Sequence, residues 1–158
     1  MIEILVALAV AAILATVAVP RFSDALANAR ARADVKSFAQ SLNTARSEAV
    51  ARASTVFVSA SSSAWAAGWQ SWQDVDGDGV RDNGETLKEY AGFGSDAALT
   101  GDQGGSAVTT LSFTANGFLN AAAPVDFAYR TSPAVCSRDK NIRVSLTGQL
   151  TVSQRVCP

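Results

Sequence analysis

The chain has 158 residues, a formal net charge of −1, two cysteines and no histidine. The lack of histidine removes the commonest general base, the Ser/His/Asp triad and most zinc sites, so the composition argues against an enzyme. After the apolar first nineteen residues, about 140 remain, which is enough for one compact domain with its own core and too few for two.

The N-terminal segment, residues 1–19, is apolar on every side and contains one ionisable residue, Glu3. At a rise of about 1.5 Å per residue, a helix of this length reaches about 28 Å, which is just enough to cross a bilayer. We therefore predict a membrane-spanning helix over residues 1–20, in preference to a buried core helix or a secretion signal. Residues 21–158 are predicted to form an amphipathic helix and a globular β-rich domain.

Glu3 is the informative residue of this segment. A carboxylate in hydrocarbon is costly unless it is paired, and the same helix offers no cation to pair with it. We expect the partner to come from another chain. The alternative is that Glu3 lies at the headgroup boundary of a simple membrane anchor.

The run Ile2-Glu3-Ile4-Leu5, continuing through apolar residues to Pro20, resembles the mature N-terminus of type IV pilins and type II secretion pseudopilins. The pattern of that family is F-T-x-I-E, then a hydrophobic run and a proline. The resemblance implies a filament subunit whose N-terminal helices pack against one another. It also implies that Glu3 pairs with the N-terminal amine of a neighbouring subunit.

After Pro20 the helical period continues, now with one apolar face. Apolar residues recur at steps of four and three, which predicts a helix to about Ala53 whose second half packs on a domain. These residues are Ala31, Val35, Phe38, Leu42, Ala45 and Ala49. We interpret Arg46 and Glu48 as part of a solvated helix face.

The segment that ends this helix, residues 42–58, reads LNTARSEAVARASTVFV. It resembles the L-x-x-A-R-S-E-A-V-x-R helix end and following strand of the GspH/FimT/FimU group, the minor pilins and pseudopilins of filament tips. The W-x-x-G-W pattern of residues 65–69 also recurs in that group.

From Thr55 onward the pattern indicates strands, beginning with β-branched and aromatic residues at 55–58. We interpret the three tryptophans of residues 65–72 as part of a sheet core, with Trp69 and Trp72 on opposite faces. Later strands are predicted near residues 86–90, 110–114, 125–129, 142–146 and 149–153. Residues 92–107, rich in small residues, are predicted to form a long mobile loop.

An acidic segment, residues 74–85, fits the twelve-position calcium loop. The predicted Ca²⁺ ligands are Asp74, Asp76, Asp78, the Val80 carbonyl, Asp82 and Glu85. Strands rather than helices flank the segment, so the site would be a metal-bound hairpin tip. The alternative is a solvated turn built from Asp-Gly and Asn-Gly dipeptides.

The two thiols, Cys136 and Cys157, lie in the C-terminal part without a C-x-x-C spacing or a nearby histidine. We predict that they form a disulfide, which persists only in an oxidising compartment and so places the domain outside the cytoplasmic membrane. Two separate buried thiols are the alternative. Three arginines shortly after the apolar segment favour the opposite orientation by the positive-inside rule.

Charge is unevenly distributed, with +2 over residues 1–54, −7 over 55–129 and +4 over 130–158. A DNA-binding function is the alternative that this basic C-terminal part suggests, through Arg138, Lys140, Arg143 and Arg155. Some relatives of the FimT branch take up DNA through a G-R-x-R motif, but the corresponding turn here, residues 148–151, reads GQLT. A solvated basic surface or a patch for an acidic neighbour is the other interpretation.

These observations predict an α+β fold in which a long N-terminal helix packs along antiparallel β-sheets. The resemblance implies a non-enzymatic minor pilin or pseudopilin that helps to prime or cap a type IV pilus or a type II secretion pseudopilus. Its expected partners are other minor subunits, the major subunit and the inner membrane, with the domain in the periplasm before assembly.

Overall fold

The computed structural model describes Ile2–Cys157, apart from the side chains at positions 11, 12, 15, 17, 18 and 20. Within these residues one long helix, α1 (Ile2–Arg52), precedes nine strands. The strands are β1 (Val56–Ala60), β2 (Gly68–Gln73), β3 (Thr86–Ala91), β4 (Ala97–Gln103), β5 (Ser106–Ala107), β6 (Thr110–Phe113), β7 (Val125–Thr131), β8 (Lys140–Val144) and β9 (Leu150–Gln154). Two 3-10 turns, Ser61–Ser63 and Trp65–Ala67, connect β1 to β2.

The strands form two sheets. The first has the order β3-β2-β1-β6 and the second has the order β5-β4-β7-β8-β9. All neighbouring strands run antiparallel. A long helix packed on antiparallel sheets is an α+β fold, so the predicted fold class is confirmed.

The second half of α1 supplies the centre of the core. The predicted apolar stripe is confirmed, because all six of its residues are at most 6 % exposed: Ala31, Val35, Phe38, Leu42, Ala45 and Ala49. They pack against inward-facing residues of both sheets, including Val56 of β1 and Phe127 of β7. The helix therefore joins the two sheets into one core.

Phe38 is at the centre of an aromatic cluster. Its ring lies edge-on to Trp65, Trp69 and Phe127, with centroid distances of 5.6, 5.1 and 4.8 Å. The Trp69 Nε1–H donates a hydrogen bond of 2.7 Å to Ser41 Oγ, which satisfies the one polar atom of that buried ring.

Trp72 packs on the other face of the first sheet, as predicted from its spacing to Trp69. Its ring stacks on Phe57 at 4.4 Å, and its Nε1–H donates to Ser59 Oγ at 2.9 Å. All three tryptophans are buried, but only Trp65 and Trp69 belong to the core around α1.

The prediction of a loop over residues 92–107 was wrong, because this segment contains the β4–β5 hairpin. Leu99 and Gly101 are the buried positions of β4. A Cβ atom at Gly101 would lie 2.9 Å from the Phe127 ring and 2.9 Å from the Val108 carbonyl oxygen. The missing side chain of Gly101 therefore allows β4 to pack closely on the aromatic cluster. It does not make the segment mobile, as the composition had suggested.

Most of the other predicted elements agree with the structure to within two residues. The tryptophan strand begins at Gly68 and not at Trp65, because residues 65–67 form a 3-10 turn. The helix ends at Arg52, and strands occupy all five of the later predicted positions. Gly117, which follows β6, and Gly148, in the β8–β9 turn, both have positive φ angles, of 75° and 74°. Glycine adopts this left-handed conformation without the steric penalty that a Cβ atom brings.

The first half of α1 presents large apolar side chains that are 43–78 % exposed. They are Ile2, Ile4, Leu5, Val6, Leu8, Val10, Ile13, Leu14, Val19, Phe22 and Leu26. Across the residues that the structure describes, no helix meets the length and hydropathy needed to cross a membrane. The membrane span and the division at residue 20 stay predictions.

Candidate functional site

Glu3 lies in the first turn of α1, exposed among apolar side chains. A carboxylate at this end of a helix interacts favourably with the helix dipole, by about 0.3–1 kcal/mol at an exposed position. The helix thus provides modest local stabilisation for the charge. The pairing of Glu3 with another subunit stays a prediction.

Arg138 fixes the direction in which the exposed half of α1 leaves the domain. Its Nε–H donates to Asn28 Oδ1 at 2.9 Å, and its Nη2 pairs with Asp24 Oδ1 at 2.9 Å. Both partners precede Ala31, the first buried residue of the stripe. The C-terminal region therefore holds the helix just where it emerges from the core.

The loop that carries Arg138 is closed by a disulfide between Cys136 and Cys157, whose Cα atoms are 6.2 Å apart. The predicted disulfide is confirmed. Closing a loop of this length contributes about 3 kcal/mol to stability by the chain-entropy estimate.

A buried carboxylate, Asp139, organises the same loop. Its Oδ1 accepts the Thr131 backbone N–H at 2.9 Å, and its Oδ2 accepts Arg155 Nη1 at 2.7 Å. Burial raises the pKa of the Asp139 carboxyl, but the hydrogen bonds from Thr131 and Arg155 outweigh it and hold the pKa below its ordinary value. The charged form is therefore the one that fastens the C-terminal tail to β7.

The four basic residues considered for DNA binding do not form one continuous surface. Three are ion-paired within the chain, as Arg138–Asp24, Arg143–Asp126 and Arg155–Asp139. The fourth, Lys140, donates to Ser137 and Gln154. Lys140 and Arg143 are three residues apart on β8, so they point to opposite faces of the sheet. DNA binding through this set stays a prediction that no contact here favours.

The acidic segment between β2 and β3 folds back on its first aspartate. Asp74 accepts the backbone N–H groups of Gly77 and Gly79 at 2.7 and 2.9 Å. Asp74, Asp76 and Asp78 each present a carboxylate oxygen, and these three oxygens lie within 4.8 Å of one another. Three of the six predicted calcium ligands are thus brought together.

Glu85 closes the segment from the other end. Its side chain is buried, and its two oxygens accept the N–H groups of Val75 at 2.7 Å and Asp82 at 2.8 Å. Within the described residues, Asp82 and Glu85 are not part of the close carboxylate group. The carboxylate of Glu85 still has unused lone pairs, so its position is compatible with a ligand role.

Repulsion within the acidic group acts on the pKa of the Asp76 carboxyl. The hydrogen bond from the Asp78 N–H lowers the pKa of the Asp76 carboxyl, but desolvation and the charges of Asp78 and Glu85 outweigh it and raise the pKa. An all-oxygen donor set with excess negative charge suits a hard cation such as Ca²⁺. The residues present therefore fit the predicted ion, whose binding stays a prediction.

Calcium at 10 mM is expected to raise the melting temperature of the metal-free protein. For a dissociation constant of about 1 mM, mass action gives about 1.4 kcal/mol, which corresponds to ~3–6 °C for a chain of this size. The Asp76→Asn variant should lose this shift, whereas Glu89→Gln, which changes an exposed acid on β3, should keep it. Differential scanning calorimetry makes the measurement, and an unchanged melting temperature at 10 mM Ca²⁺ contradicts the site.

Arg46 is half-buried and hydrogen-bonded to the domain, so its interpretation as part of a solvated helix face was wrong. Its Nε–H donates to the Gly117 carbonyl at 2.8 Å, and its Nη2 donates to the Thr147 carbonyl at 3.2 Å. The first carbonyl follows β6 of the first sheet, and the second lies in the β8–β9 turn of the second sheet. These two contacts, the Arg46 clasp, fasten both sheets to the helix. Glu48 pairs with Arg52 on an exposed face, as predicted.

Comparison with known proteins identifies the family and fold. The family model "Type II transport protein GspH" matches residues 34–148. The type IV minor pilin FimU of Pseudomonas aeruginosa is 22 % identical, with a TM-score of 0.65 over 77 % of this chain and 87 % of that chain. The minor pseudopilin EpsH of the Vibrio cholerae type 2 secretion system is 14 % identical, with a TM-score of 0.60 over 79 % and 97 % of the two chains.

No curated protein matches the sequence significantly. At these low identities the two solved structures establish a shared fold, and the family model establishes membership because it spans more than half of the chain. The resemblance of the helix end and the W-x-x-G-W segment is thereby confirmed. The chain belongs to the GspH family and is a pilin of the GspH/FimT/FimU type.

Proposed function

We propose that the protein is a non-enzymatic minor pilin or pseudopilin that helps to prime or cap a type IV pilus or a type II secretion pseudopilus. The observation that carries this proposal is the division of α1 into two halves. The second half is buried by its own domain, whereas the described side chains of the first half include eleven large apolar ones that are exposed.

Such an apolar surface is too extensive to remain in water. Contiguous exposed apolar area of this kind marks a contact with a membrane or with other chains. We infer that the exposed half is held in the inner membrane, with the disulfide-bonded domain in the periplasm, until it packs against the helices of other minor subunits and the major subunit. The disulfide supports this compartment.

In the assembled state Glu3 would be surrounded by apolar helices. An unpaired carboxylate in such surroundings carries a large desolvation cost, which an opposite charge at short range offsets. We infer that the N-terminal amine of a neighbouring subunit provides that charge. The pairing would also fix the axial position of one subunit relative to the next.

The Glu3→Ala variant tests this function. Breaking a buried ion pair costs about 3–5 kcal/mol, so incorporation into filaments should fall by about 100-fold or more. The melting temperature of the variant should match the wild type, because Glu3 lies outside the domain core. Filament incorporation is measured by immunoblotting of sheared or overexpressed filaments.

Glu48→Gln is the matched control. Glu48 is on the same helix, and among the described residues its only ion pair is the exposed one with Arg52. Incorporation of this variant should therefore be unaffected. Wild-type incorporation of Glu3→Ala would contradict the pairing mechanism. Failure of the wild-type chain to enter any filament would contradict the proposed function itself.

A further inference from the structure

The strand β9 leaves an unprotected edge on the second sheet. Within the described residues it pairs only with β8, and four of its five residues are exposed. Edge strands are usually guarded by charged residues, prolines or bulges, since their free N–H and C=O groups accept another strand. The sequence of β9 is LTVSQ, which has no charge and no proline, and its pairing with β8 has no register shift.

A groove of about 400 Å³ runs between this edge and α1. Its floor includes Val35 and Ala39 of the helix and Val152 of β9. Val152 pairs with the fully buried Ile142, so it points to the helix side of the sheet, yet it is 47 % exposed. The groove therefore offers apolar contact area beside free backbone hydrogen-bonding groups.

The walls of this β9 groove are basic. Arg32, Lys36 and Lys140 line it, and none of the three forms an ion pair among the residues described. The aliphatic stems of such side chains extend the apolar surface while the charged ends remain at the rim. An occupant with carboxylates at its edges is complementary to this rim.

We propose that the β9 groove binds an extended segment of another filament subunit in which every second residue, on the face toward α1, is either apolar or Asp/Glu. The segment adds to β9 as a further strand. Its apolar side chains cover Val35 and Val152, and its carboxylates meet the three basic side chains at the rim. The β9 groove would thus be a contact surface between subunits, an inference that rests on the proposed function.

A protein strand fits better than a nucleic acid. A phosphate backbone would satisfy the cations but would leave Val152 and the free edge of β9 without suitable partners. The spacing follows from the geometry. Successive side chains of an added strand point to opposite faces of the sheet, so the apolar and acidic residues that reach the groove occupy every second position.

Photo-crosslinking of the full chain in filament-producing cells tests the inference. The photoreactive residue p-benzoylphenylalanine is placed at Val152 and, as the matched control, at Thr151, which lies on the opposite face of β9. The Val152 position should crosslink to a filament-subunit peptide with apolar and acidic residues at every second position, identified by mass spectrometry. The Thr151 position should give little of this product.

The double variant Arg32→Glu/Lys36→Glu should reduce the Val152 crosslink about tenfold or more, equivalent to ~1.4 kcal/mol. Arg143→Glu, on the other face of the sheet, should leave the yield unchanged. An unchanged melting temperature of both variants establishes that the domain remains folded.

Equal crosslinking at both positions, a crosslink to nucleic acid or lipid, or an undiminished yield after charge reversal overturns the inference. If filament incorporation remains Glu3-dependent in that case, the proposed function stands without the β9 groove. If the wild-type chain enters no filament, both proposals fail.

Discussion

Replacing Phe38 by alanine is expected to lower the free energy of unfolding by about 3–5 kcal/mol. Phe38 is completely buried and lies edge-on to Trp65, Trp69 and Phe127, so its removal leaves a cavity where the helix meets both sheets. Because typical domains are stable by about 5–15 kcal/mol, this is a large fraction of the total. Urea denaturation followed by tryptophan fluorescence gives the value.

Phe118→Ala is the matched control, since this side chain is 50 % exposed and lies in a turn. Its loss should cost less than about 1 kcal/mol. Similar losses for the two variants would mean that the aromatic cluster is not the centre of stability.

Gly148→Ala is expected to cost at least about 2 kcal/mol, because two penalties add. The φ angle of 74° is unfavourable for alanine, and a Cβ atom there would lie 2.2 Å from the Gly117 carbonyl oxygen and 2.8 Å from Arg46 Nε. Both contacts belong to the Arg46 clasp. Urea denaturation again provides the measurement.

Gly104→Ala separates the two penalties. Gly104 has a φ angle of 61°, but a Cβ atom there meets nothing within 4 Å, so only the backbone term of about 1 kcal/mol is expected. Equal effects at the two glycines would show that the close approach around Arg46 contributes nothing to stability.

Local periodicity was sufficient to predict the helix and most strands. The stripe from Ala31 to Ala49 is read directly from spacing because one helix face is buried along its whole length. The strand β4 was missed because its buried positions are Leu99 and Gly101, and glycine carries no apolar signal. Its burial depends on Phe127, which lies on another strand.

The candidate sites also divide into those that a local pattern predicts and those that depend on residues far apart in the sequence. The proximity of Asp74, Asp76 and Asp78 follows from a short motif and was predicted. The Arg46 clasp joins residues that are 71 and 101 positions apart, and the Arg138–Asp24 pair spans 114 positions. No local pattern encodes such contacts, because their partners lie far apart in the sequence.

The contacts of Arg138 with Asp24 and Asn28 have a mechanical consequence. A pull along α1 reaches the domain at two places, first through this side chain and then through the buried stripe. The Cys136–Cys157 disulfide closes the loop that carries Arg138, so this loop cannot extend when force is applied to the helix. The domain is therefore attached to α1 at two points along the helix, and these two attachments resist bending where the exposed half of α1 leaves the domain.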